Sequence, residues 1–404
     1  MSVLPATAVF LSRDFGLYLA ARFLSALAIQ MQNVAIGWLV YDLTRDPFAL
    51  GLVGLASFLP AVALALVTGH TADRYDRRGI LVACYLVTLG TSLGLLAIAV
   101  SGSGEVWRIY ALLLLFGVSR AFANPAGQAL VPNLVPPEQL ANAIAWNSTA
   151  WQTATIAGPA LGGLLYYFGA PVAFGAAALC FLVCCILFAM MHSRQQPALG
   201  GISLVTLAGG TRFIRSRSAC VGAIALDLFA VLLGGATALL PVYARDILDV
   251  GPGGLGLLRS MPAVGALLVA LWLAQRPLQS RSGLRMFQGV AIFGVATIGF
   301  GLSTNLVLSC LCLFVLGAAD MISVFIRSTL VQFDTPDAMR GRVAAVNSVF
   351  IGASNELGEF ESGAVAAAIG TVPAVVIGGI GTLAVCGLWV RWFPELRYRD
   401  RLTS

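Results

Sequence analysis

Nine ionisable residues lie inside long apolar stretches of the chain: Arg22, Arg120, Asp227, Arg259, Asp320, Arg327, Glu356, Glu359 and Glu361. On insertion scales a charge at the centre of a bilayer costs roughly 2.5–3.5 kcal/mol, so these groups must face one another or water. Their spacing says which can act together. Asp320 and Arg327 are seven residues apart, which returns to almost the same helix face. Glu356 and Glu359 also share a face, while Glu361 points about 140° from Glu356. Two carboxylates that close favour holding a proton, as a proton carrier must. The alternative is that they tie their helix to neighbouring arginines. Asp227 has no sequence-local partner and is a further proton-site candidate. For Arg120 and Asp320 the competing reading is a static salt bridge.

Such charges need helices to hold them. Of 404 residues 59% are hydrophobic and only 10% charged, against about 25% charged in soluble domains. That is too few to cover a soluble surface of this size, and the hydrophobicity excludes a disordered chain. A window of about 20 apolar residues finds twelve candidate spans, near 16–41, 48–70, 80–101, 107–129, 140–168, 172–191, 219–243, 253–275, 285–303, 306–330, 342–369 and 372–393. Connections such as Thr44–Pro47 and Ser303–Asn305 are so short that their neighbours must be antiparallel. The first span has no small-residue cleavage site and reads as a retained helix.

All 24 basic residues are arginine, and the net charge is +6. With the N-terminus inside, seventeen arginines fall in cytoplasmic segments and three, Arg45, Arg108 and Arg245, fall outside. That asymmetry sets an orientation with both termini cytoplasmic. The basic excess therefore reports topology, and no nucleic-acid partner is expected. The eight cysteines fall inside predicted helices as small packing residues. The two histidines make no metal cluster, and no nucleophile–base pair can be assembled, so neither a metal nor an enzyme is expected.

The chain repeats itself. A shift of 202 residues carries Val40 and Tyr41 onto Val242 and Tyr243, Gly51 onto Gly253, and Pro60 onto Pro262. A shift of 200 carries Pro136 onto Pro336, Asn147 and Ser148 onto Asn347 and Ser348, Gly158 onto Gly358, and Arg120 onto Asp320. The expected architecture is an all-α membrane protein of twelve transmembrane helices in two pseudo-symmetric six-helix bundles. Residues 1–192 form the N-terminal bundle, 193–218 a cytoplasmic linker and 219–404 the C-terminal bundle. Two bundles related this way can rock about a midplane site, the plan of a large class of transporters.

Three motifs carry a family resemblance. After the second span stands Gly69-His70-Thr71-Ala72-Asp73-Arg74-Tyr75-Asp76-Arg77-Arg78. It resembles the major facilitator superfamily signature, with Asp76 where that signature has glycine. In the fifth span, Ala154 to Gly163 resembles the superfamily's antiporter motif, with Gly158 and Gly162 forming a smooth strip and Pro159 inviting a hinge beside Gly163. In the eleventh, Asn355-Glu356-Leu357-Gly358-Glu359-Phe360-Glu361-Ser362-Gly363 is similar to the drug and siderophore exporters of that superfamily. So are Arg22–Ala26 and Trp38–Thr44 in the first span and Gly256–Ser260 in the eighth.

The resemblance implies a proton-coupled antiporter of the bacterial inner membrane. It would export a small amphiphilic compound, drug or siderophore, by alternating access. No cofactor beyond the coupling proton is expected, and a monomer in the lipid bilayer with a small-molecule substrate is. Gly69, Asp73, Arg74, Arg77 and Arg78 would form a latch of the outward-facing state. Helices 1, 4, 7 and 10 would line the cavity, with Arg22, Gln30, Asn33, Asn124 and Arg327 facing substrate. Arg120 and Asp320 would lie across that cavity from each other, Arg120 taking part in proton transfer. Trp146, Trp151, Phe229 and Phe325 offer aromatic surface. An uptake symporter or facilitator, and a receptor or scaffold without turnover, remain as alternatives.

Overall fold

In a computed structural model that describes residues 12–64, 67, 68, 71, 74–192, 204–215, 217–276 and 281–398, all the long elements are helices. They are α1 (Arg13–Thr44), α2 (Pro47–Ala63), α3 (Arg77–Ser101), α4 (Val106–Leu130), α5 (Leu140–Tyr167) and α6 (Ala170–Ala189). A linker helix (Leu204–Arg215) follows, then α7 (Ser218–Leu233), α8 (Gly251–Gln275), α9 (Ser282–Leu302), α10 (Leu306–Asp334), α11 (Asp337–Ile369) and α12 (Thr371–Trp392).

Among the described residues nine helices are long and apolar enough to cross a membrane. The three other expected spans are α2, α5 and α11. For α2 the described helix covers only Pro47–Ala63. Polar side chains dilute the other two: Asn142, Asn147, Ser148 and Gln152 in α5, and Asn347, Asn355 and three glutamates in α11. α7 also differs from expectation. It ends at Gly234, and a 3₁₀ turn, one α-turn and a π-turn carry the chain on to Ile247. The Gly234–Gly235 pair and Pro241 explain the break, since a Cβ on Gly235 would lie 2.5 Å from the Gly358 carbonyl oxygen.

The chain divides into two compact units. The first holds α1 to Leu39, α2 from Ala56, and α3–α6; the second holds Val40–Leu55 and everything from Leu204 onward. Each has its own core. In the first, Phe15, Tyr18, Leu81, Tyr85, Phe181 and Phe188 are buried together, with the Tyr85 and Phe188 rings stacked at 5.2 Å. In the second, Leu226, Met286, Phe287, Ile326 and Trp389 do the same. The opposite helix faces are equally apolar but exposed, as at Leu179, Leu182 and Ile186 of α6. A helix apolar all round is what hydrocarbon on its outer side requires.

The repeat is visible in the packing. A Cβ on Gly117 of α4 would sit 2.5 Å from the Ser57 carbonyl oxygen and 3.1 Å from Pro60 of α2. A Cβ on Gly317 of α10 would run into the Pro262 carbonyl of α8. Gly169 (φ 119°), between α5 and α6, and Gly370 (φ 94°), between α11 and α12, hold the same left-handed corner, which an L side chain rarely adopts.

Candidate functional site

The buried charges of the second unit meet around one arginine. Asp320, Ser323 and Arg327 succeed one another at three and four residues along α10, so they lie on one face. Arg327 Nη2 pairs with Asp227 Oδ2 of α7 at 3.2 Å, and both side chains are at least 94% shielded from solvent (3% and 6% exposed). Arg327 Nη1 donates to Asn347 Oδ1 of α11 at 3.1 Å. One guanidinium therefore ties three helices together. Asp320 lies within electrostatic reach of both Asp227 and Arg327. Asp227, Asp320 and Ser323 line a small, partly open cavity between α7, α9 and α10, whose other walls are apolar groups including Val231, Val290 and Phe293. The Ser323 hydroxyl is buried there without a hydrogen-bond partner, and so is Arg327 Nε. Asp227, without a partner in the local sequence, has one a hundred residues away.

In the first unit the sequence-selected residues sit differently. The Arg22 guanidinium stacks over the Trp151 ring at 4.6 Å, while its Nε is buried without a hydrogen bond. Arg120 lies 5.8 Å from the Phe116 ring centroid, on its own helix. Asn33 donates weakly to Gln30 Oε1 at 3.5 Å. Asn124 is exposed. The glycine strip of α5 packs on α1: a Cβ on Gly158 would lie 2.5 Å from Gln30 Cβ, and one on Gly162 would lie 2.7 Å from the Met31 backbone. Pro159 and Gly163 are buried beside them.

At the start of α3, Asp76 accepts hydrogen bonds from the Arg78 and Gly79 amides and so caps the helix. Arg77 donates to the Ala129 carbonyl at 2.8 Å, near the end of α4. Arg78 donates to the Phe188 carbonyl at 3.0 Å and to that of Ala189, at the end of α6. Two arginines thus cover the negative ends of two helix dipoles. Arg74 is exposed, whereas Gly69 and Asp73 lie outside the described residues. In α11, Glu359 reaches Gly54 of α2, and Gly358 lies against the end of α7; Glu356 is half-buried.

Four functional-looking contacts went unread in the sequence. Asp76 replaces a signature glycine, and its value as a cap was legible from its place just before a helix. The repeat pairs Asn347 with Asn147, and nothing in the local sequence points to its partner Arg327. Ser323 gave no signal beyond its spacing from Asp320. The fourth is an ionic cluster: Tyr41 donates to Asp246, Arg45 pairs with Asp246 at 3.3 Å, and Arg245 pairs with Asp42. The repeat of Val40–Tyr41 in Val242–Tyr243 was its only hint.

The comparisons agree with this architecture. A family model described as transmembrane secretion effector, one of the major facilitator families, matches residues 6–401. The enterobactin exporter EntS of Escherichia coli K12 is 28% identical over 386 residues, covering 94% of this chain and 91% of that protein. The enterobactin exporter of Shigella boydii serotype 4 is 27% identical over 387 residues, with 93% and 91% covered. Among solved structures, a bacterial homolog of the human lysosomal transporter Spinster, in an inward-facing unoccupied conformation, superposes with a TM-score of 0.73 at 15% identity. That match covers 98% of this chain and 99% of the other. The POT family transporter PepTSo gives 0.72 at 12% identity, with 96% and 99% covered. These likenesses establish the fold.

Proposed function

The chain belongs to the transmembrane secretion effector family of the major facilitator superfamily, so it is a multi-pass membrane transporter and not an enzyme, and we propose that it works as a proton-coupled antiporter exporting a small amphiphilic compound. In this reading twelve spans form two six-helix bundles with both termini cytoplasmic, in a bacterial inner membrane, acting as a monomer by alternating access. The substrate is a siderophore or a drug-like molecule of similar amphiphilic character, as the name of the relative EntS suggests.

The observation that carries the proposal is the buried Asp227–Arg327 pair with Asp320 and Ser323 on one interior cavity. Arg327 is paired with Asp227, so with both acids ionised Asp320 adds a negative charge that no ion pair among the described residues balances. A proton entering the cluster neutralises that excess, and its departure restores it. An intramembrane acid in this position is a proton-relay candidate by its energetics alone. Arg327 also links α7, α10 and α11, so a change of charge beside it bears on three helices at once.

Proteoliposomes acidic inside test the coupling. Enterobactin or ethidium added outside should discharge the gradient, followed by an entrapped pH-sensitive dye. Asp320→Asn should leave the protein monodisperse on gel filtration while abolishing the discharge. A variant that discharges the gradient at the wild-type rate removes Asp320 from the mechanism. Substrate entry into cells rather than secretion would instead favour uptake.

A further inference from the structure

We propose that the cavity between α7, α9 and α10 is a binding site for a monovalent alkali-metal cation. The inference rests on reading Asp227 and Asp320 as the ion-carrying acids, and extends it from a proton to a metal ion. Four features of the cavity carry it.

The charge is the first. With both acids ionised and Arg327 paired to Asp227, the cluster holds a net charge of −1. A monovalent cation cancels that charge, whereas a divalent one leaves an uncompensated positive charge in a low-dielectric interior. The donor set is the second. Asp227 Oδ2 is engaged by Arg327, which leaves Asp227 Oδ1, the two Asp320 oxygens and the Ser323 hydroxyl for a ligand. These are all hard oxygen donors, which suit alkali and alkaline-earth ions rather than transition metals. Among the described residues no group of three or more His, Cys, Asp or Glu competes with this set.

Ser323 is the third feature. Its side chain is 2% exposed and its hydroxyl has no partner, although it lines the same cavity as the two carboxylates. A buried hydroxyl left unpaired is destabilising, and a cation between Ser323 and Asp320 gives its oxygen a partner. Size is the fourth. The cavity has room for about one water-sized particle and is walled by Val231, Val290 and Phe293. A bare alkali ion, no larger than a water molecule, fits that space.

Scintillation-proximity binding of ²²Na⁺ to the purified full-length protein, with choline chloride holding the ionic strength constant, decides the matter. Saturable binding is expected, displaced by unlabelled Na⁺ and not by choline. Asp320→Asn should abolish it. Ser323→Ala, which removes one oxygen and no charge, should weaken it by about tenfold while the gel-filtration profile is unchanged. If Asp320→Asn does not fold, Ser323→Ala alone decides. No saturable binding in the wild type overturns the proposal, as does binding undiminished in Ser323→Ala. Proton discharge that depends on Asp320, found together with no Na⁺ binding, refutes only this inference. Na⁺ binding without Asp320-dependent discharge refutes only the proton-coupling reading.

Discussion

Gly117 on Ser57 and Pro60 in the first unit, and Gly317 on Pro262 in the second, make the same helix crossing from the same residue type at a spacing of 200. The polar groups carried on that scaffold are unlike. Arg327 and its partners Asp227 and Asn347 correspond, under the repeat, to a region of the first unit where Gly127 replaces the arginine. There the Gly127 carbonyl accepts from Tyr18 at 3.1 Å, and Asn147 Oδ1 is buried without a partner. The second unit meets a buried charge with an opposite charge; the first meets Arg22 with the face of Trp151. Backbone approach was kept through the duplication because a glycine crossing admits no substitute, while polar side chains inside each bundle were free to diverge into different chemistry.

The sharpest way to break this comparison is to strand a charge in the second unit. Arg327→Met should destabilise the protein by about 3–5 kcal/mol, because Asp227 is left buried and unpaired. Thermal unfolding in detergent measures it. The double variant Asp227→Asn with Arg327→Met should recover most of that loss, and failure to recover would mean that the pair is not the source of the effect.

Next in size are the shared crossings. Gly117→Ala and Gly317→Ala should each be destabilising by about 1–3 kcal/mol, since the new methyl group meets backbone that cannot step aside. If only one of the two lowers the unfolding temperature, the crossings are not equivalent despite their sequence match.

A smaller effect is expected at the ring-stacked arginine. Arg22→Met should lose about 0.5–2 kcal/mol of cation–ring attraction, less than Arg327→Met. Equal losses at the two arginines would erase the contrast between the units. At the bottom of the scale, Arg45→Ala removes an ion pair whose side chains are 54% and 40% exposed. It should change stability by about 0.2–1 kcal/mol, within the scatter of a melting experiment repeated at high salt.

How far the sequence reached can be read from particular residues. The helices announced themselves because 20-residue apolar runs have one stable form in hydrocarbon. Asp320 and Arg327 were placed on one face by helical periodicity, and the glycine strip of α5 was recognised as a packing surface before Gln30 and Met31 were seen against it. Asp227 shows where such reasoning stops. Its partner lies a hundred residues away on another helix, and no period connects them. α5 and α11 were read as spans although their polar content leaves them short of simple hydropathy, and the repeat, not the hydropathy, linked the two. The apolar run over 219–243 reads as one unbroken span, whereas in the structure Gly234 and Gly235 lie close against Phe293 and Gly358 and, with Pro241, break the helix.

What the sequence determined by itself is therefore everything that depends on local composition and period: the membrane class, the duplicated scaffold and the positions of the intramembrane charges. These follow from solvent and helix geometry, which act on every residue regardless of its distant neighbours. What only the tertiary structure decided is which charges meet. Arg327 faces Asp227 and Asn347, Asp320 and Ser323 share a cavity, Arg22 lies on Trp151, and Arg77 and Arg78 close the ends of α4 and α6. Those pairings are set by how helices distant in the chain pack together, and a buried charge is compensated only by the neighbour that packing brings to it.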